Sequence, residues 1–133
     1  LARFAEEKKL DAAGLSALEV AFHEASHTSF GQRTPGPLWA ALQQAASSAA
    51  RPLPDEFTHL LLSVTTGRAV QARLSEQGVP DYRPYVYSED LFERSAPAQR
   101  EILERVWQPY IDGRVPMAEA VRQLVESLPS ESR

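Results

Sequence analysis

The sequence predicts a mainly α-helical, compact domain, and three observations predict it. Apolar residues at helical spacing, or a run of strong helix formers, mark five segments, proline and glycine fall between those segments, and the period-two alternation of strands is nearly absent. With 133 residues and 43% hydrophobic content, the chain suits one domain over 1–133, in which 1–10 form an N-terminal extension and 129–133 a polar tail.

The first segment runs from Asp11 to about Phe30. Leu15, Leu18, Ala21, Phe22 and Ala25 keep the 3/4 spacing of an amphipathic helix, which Gly31 can end. Val20, Ala21 and Phe22, with the small Ala25 and Ser26 after them, predict that this helix is buried. A breaker follows from Gln32 to Pro37, and Leu38 to Ala50 is rich in strong helix formers. After Pro52 and Pro54, the stretch Asp55 to Gln77 carries Phe57, Leu60, Leu61, Val64, Val70 and Leu74 at helical spacing. Gly67 inside it is a poor helix former, and its missing side chain predicts that another element comes close there.

Gly78 to Ala96 holds turn residues and the tyrosines 82, 85 and 87, so it reads as an ordered loop in which tyrosine rings pack with their hydroxyls at the surface. Tyr85-Val86-Tyr87 is the one strand candidate. Pro97 to Asp112 and Pro116 to Leu128 form two further amphipathic helices joined at Gly113, with Trp39, Trp107 and Tyr110 as core aromatics of their helices.

Bulk properties remove several function classes. The net charge is −4 and the 14 Lys and Arg residues are spread along the chain, so no basic stripe suits a phosphate backbone and nucleic acid is not an expected partner. The absence of cysteine excludes disulfides, cysteine-ligated metal and a thiol nucleophile. No apolar run approaches the roughly 18 residues of a membrane span, and LARFAEEKK is too charged for the apolar part of a signal peptide. The chain begins with Leu, which leaves open an upstream signal removed from a secreted or periplasmic protein. Ser26 and the Ser47-Ser48 pair lack the G-x-S-x-G setting of a serine hydrolase. Arg100, Glu101, Glu104 and Arg105 set opposite charges three to four residues apart, as on a solvated helix face.

One stretch carries chemistry: Leu18-Glu19-Val20-Ala21-Phe22-His23-Glu24-Ala25-Ser26-His27-Thr28. On a helix, His23 and His27 project from one face one turn apart, so both imidazoles can meet a single cation, at about 2.0–2.1 Å for zinc. Glu24 points off that axis, where its carboxylate can take a proton from a water and later pass it to a leaving amine. A catalytic zinc keeps three protein ligands and an open position. The extended H-E-x-x-H-x-x-G-x-x-H pattern is absent, which leaves His59, the one remaining histidine, or Glu56 one turn earlier as third ligand. His59 is preferred, because His59, Ser63, Thr66 or Gly67, and Val70 form a stripe with small residues in its middle, whereas an acid at position 56 is explained by the start of a helix. The plainer alternative is histidines hydrogen-bonded to their neighbours. Tyr85 is the candidate donor to an oxyanion.

These residues resemble the zincin superfamily of zinc metallopeptidases, whose signature is H-E-x-x-H. "LEVAFHEASHT", "HLLLSVTTGRAV", "VWQPYIDGRV" and "AVRQLV" together are similar to a poorly characterised bacterial, gluzincin-like group, over most of the chain from about Leu15. The resemblance implies Zn²⁺ on His23, His27 and His59, Glu24 as general base, and a peptide or protein substrate. It also implies an acid after the glycine of the later helix, where this chain has Arg68, and a small sheet before the motif helix, which is not readable between Leu1 and Asp11. The expected function is thus a zinc-dependent hydrolase, with a non-catalytic helical interaction domain holding a structural metal, or none, as the alternative.

Overall fold

The computed structural model describes residues 12–28, 36–89, 92 and 97–128, and among these every regular element is helical. Helix α1 spans Ala12–Ser26, α2 Pro37–Ala49, α3 Asp55–Glu76 and α4 the single turn Tyr85–Ser88. A last pair follows: α5 (Pro97–Ile102) runs through a π-helical turn (Leu103–Trp107) into α6 (Gln108–Ile111), and α7 spans Met117–Ser127. The mainly helical fold class is therefore as the periodicity predicts. The N-terminal extension, the stretch before the motif helix where a sheet would lie, Gly31, most of the 32–37 breaker and the polar tail fall outside the described residues.

Helix ends follow local chemistry. Pro37 opens α2, where a missing N–H costs nothing. At the end of α3, Gly78 takes φ +86°, Gly78 N–H donates to Ser75 O and Val79 N–H to Leu74 O, and the Val79 side chain packs beside Leu74. Arg51 Nη1, just past α2, donates to the main-chain oxygens of Glu126 and Leu128 and so ties α2 to the end of α7.

Helix α3 is the spine. Phe57, Leu60, Leu61 and Val64 in its first half enter a large apolar core with Leu42, Phe92, Trp107 and Leu124. Val70 and Leu74 in its second half enter a smaller cluster with Leu15 of α1 and with Tyr82. Trp107 is fully buried and its Nε1–H donates to Thr65 Oγ1 at 2.8 Å, while Trp39 and Tyr110 pack at the margin of the large core.

Five local expectations are corrected. Helix α1 stops at Ser26 rather than near Phe30, so His27 lies in the turn that follows it. That helix is not buried: Val20 is 41% and Phe22 53% exposed, because the side of α1 that meets α3 is the stripe Leu15, Glu19 and His23, and Val20 to Phe22 fall off it. Tyr85-Val86-Tyr87 is a helical turn, not a strand, and the neighbours Val86 and Tyr87 are both buried, which an alternating strand does not allow. Tyr82 and Tyr87 bury their rings and their hydroxyls as well. Finally, the helix expected over Pro97–Asp112 contains a π turn, in which Gln108 N–H donates to Leu103 O five residues back, just before Pro109, a residue with no N–H to give.

Candidate metal centre

Helices α1 and α3 run antiparallel along one seam. Leu15 meets the Val70 and Leu74 region, Glu19 meets Gly67, and His23 meets His59 and Ser63, so a step of four on α1 matches a step of three or four on α3. Gly67 is where the two come closest: a Cβ there would lie 2.8 Å from Glu19 Oε1 and 2.8 Å from Pro84 Cβ. The close approach expected at this glycine is present, and it seats the histidines of both helices at one end of the seam.

There His23, His27 and His59 form one group, with a ligand atom of each within 4.8 Å of the others. His23 Nε2 lies 3.1 Å from His59 Nε2 and 3.1 Å from His27 Nε2. Two nitrogens bound to one tetrahedral zinc at about 2.0–2.1 Å would be about 3.3 Å apart, so the spacing suits a shared cation. Hydrogen bonding explains it less well, since a neutral ring nitrogen offers either one N–H or one lone pair and His23 Nε2 faces two like atoms. Ser63 Oγ donates to His59 O at 2.9 Å, which leaves its lone pairs toward His23 Nδ1 at 3.5 Å and favours the tautomer of His23 with a free lone pair on Nε2.

Burial holds His23 below the ordinary histidine range, and the neighbouring His59 and His27 push the same way, against the opposing pull of the Glu24 carboxylate. That favours the neutral imidazole of His23, the form that binds a metal. Three imidazoles at this spacing could hold a metal ion. Glu56, the competing ligand, is exposed and does not belong to the group.

A cavity of about 230 Å³ opens beside the histidines, lined by His23, His59, Glu24, Tyr85, Glu19 and Ser63 among others. Glu24 and Tyr85, proposed from sequence as base and oxyanion donor, border the same space as two of the histidines. Arg68 does not line it: its guanidinium stacks 4.7 Å from the Tyr87 ring centre and Nη1 donates to Gln71 Oε1. The sequence assigns Glu19 no role, and marks Ser63 only as a small residue of the α3 stripe and Tyr82 only as a packing tyrosine. Their signal was present for Glu19, which stands four residues before His23 and four after Leu15, on the stripe that carries both.

The chain matches no protein-family model, no curated protein and no solved structure. No described helix is long and apolar enough to cross a membrane.

Proposed function

We propose that the protein is a zinc-dependent hydrolase acting on amide bonds, a metallopeptidase of the zincin kind. One observation carries this reading: three imidazoles converge, and two of them, His23 and His59, line a cavity that Glu24 and Tyr85 also border. The residues fit Zn²⁺ by number, spacing and donor type, and His23, His27 and His59 would hold it with a position left open. When bound, the cation supplies Lewis acidity, polarising a carbonyl and making a water in the cavity more acidic. Glu24 accepts the proton of that water on its carboxylate and delivers it to the departing amine. Tyr85 donates its hydroxyl hydrogen to the oxygen on which negative charge develops. Ser63 and the His59 main chain hold the ligands in register.

Elemental analysis of the purified protein tests the metal, with the His23→Ala, His27→Ala double variant as control. One equivalent of zinc, absent from the double variant, supports the reading; none after dialysis against micromolar zinc defeats it. Glu24→Gln then tests catalysis: it should keep the zinc and lower peptide turnover by about 10²–10⁴-fold. The alternative, a non-catalytic helical module, draws support from Val20 and Phe22, large apolar side chains exposed on α1 at either flank of the seam. It requires that no peptide library yield turnover, with or without Glu24.

A further inference from the structure

Glu19 is 3% exposed, and both of its carboxylate oxygens are in use. Tyr82 donates its hydroxyl to Oε2 at 2.5 Å, and the Tyr85 N–H points at the same carboxylate, 3.0 Å from Oε2 and 3.2 Å from Oε1. We propose that Glu19 is a positioning residue of the three-histidine site, fixing the Tyr85 main chain, and with it the Tyr85 ring, at the cavity that His23 and His59 line. This rests on the reading of Tyr85 and the histidines as one site.

Three features support it. The carboxylate is buried against a hydroxyl and an amide, which stabilises the fold less than an apolar side chain would: position 19 is one turn from Leu15, where a leucine would simply extend the apolar cluster. The opposing helix is hollowed for it, since a Cβ at Gly67 would meet both Glu19 Oε1 and Pro84 Cβ. And Pro84 has no N–H, so Tyr85 is the first residue of the turn that can donate, while Tyr85 itself stays 38% exposed and borders the cavity. Val86 and Tyr87 already dock the turn on the large core; what Glu19 adds is a polar tie from that turn to the helix that carries His23.

The test uses Glu19→Ala, Glu19→Gln, Tyr85→Phe and the Glu19→Ala, Tyr85→Phe double variant of the full chain. Glutamine can accept from Tyr85 N–H through Oε1 and donate to the Tyr82 hydroxyl through Nε2, so it should rescue the geometry. In metal-free protein, hydrogen exchange of the Tyr85 amide should quicken about tenfold or more in Glu19→Ala and stay near wild type in Glu19→Gln. In Co²⁺-loaded protein, affinity for acetohydroxamate should fall about tenfold in Glu19→Ala and in Tyr85→Phe, with no further loss in the double variant. Unchanged exchange in Glu19→Ala, or additive losses of hydroxamate affinity, would overturn the proposal. If Glu19→Ala does not fold, Glu19→Met, which fills the space without an acceptor, takes its place under the same criteria. A wild-type protein that takes up no Co²⁺ defeats the metal reading, and the exchange arm then decides on Glu19 by itself.

Discussion

The two halves of α3 rest on different kinds of interior. Phe57, Leu60, Leu61 and Val64 sink into a broad apolar core with fully buried partners on α2, the π turn and α7. Val70 and Leu74 meet α1 through a cluster in which Leu15 and Tyr82 are the other buried members, and beyond it the seam is held by a carboxylate, a glycine and two hydroxyl groups. Burial of area stabilises the first region; fit at particular atoms stabilises the second. The histidines lie on the second. The histidine group that could hold a metal thus comes together where geometry, rather than apolar mass, sets the spacing.

Truncating the broad core should have the largest effect. Trp107→Ala removes a fully buried ring and its bond to Thr65, and should cost about 3–5 kcal/mol in urea unfolding while leaving zinc affinity of the folded protein as it was. A cost below about 1 kcal/mol would mean that the core relaxes around the gap and that the contrast between regions is overdrawn.

Gly67→Ala probes the seam by the opposite means, adding an atom where there is no room. About 1–3 kcal/mol should be lost in thermal unfolding, less than at Trp107, yet here zinc affinity should drop as well, because α1 is pushed away from α3. Equal zinc uptake by wild type and variant would show that the ligands do not depend on the seam.

Tyr82→Phe removes one bond to Glu19 and should cost about 1–2 kcal/mol. Burial, and then the Glu19 carboxylate, raise the Tyr82 pKa above its ordinary 10.0. Because the folded value is raised, this group's contribution to stability is complete below the unfolded value and is lost as pH climbs through the folded one. Alkaline difference absorbance should show a late tyrosine ionisation that Tyr82→Phe abolishes. The smallest effect belongs to the exposed Arg73–Glu76 pair: Arg73→Ala should change stability by less than about 0.5 kcal/mol and zinc uptake not at all.

Much of the fold was legible because it follows from period and punctuation. The span of α3 and the glycine that closes it are local events, settled within a few residues, whereas Pro37, read as part of a breaker, opens α2. Gly67 was legible for a related reason, since a glycine inside a strong helix pattern has to be explained by what lies against it. The phase of α1 was not. Counting apolar residues placed Val20 and Phe22 inside, whereas Leu15, Glu19 and His23 form the side that packs, a polar-rich stripe that no apolar count selects. The turn at Tyr85 escaped for want of periodicity, being made by Pro84, by two adjacent buried side chains and by a bond to a residue far away in sequence.

The sequence by itself determined which segments coil, where they stop and that His23, Glu24 and His27 stand at the spacing of a chelate, because backbone preference and side-chain period act over one or two turns of chain. Only the tertiary structure decided that His59 rather than Glu56 joins them, that Tyr85 and Glu24 share their cavity and that Glu19 holds the turn carrying Tyr85. Those are relations between residues tens of positions apart, and they depend on the phase in which two helices pack, a quantity that arises when α1 and α3 close on Gly67 and not before.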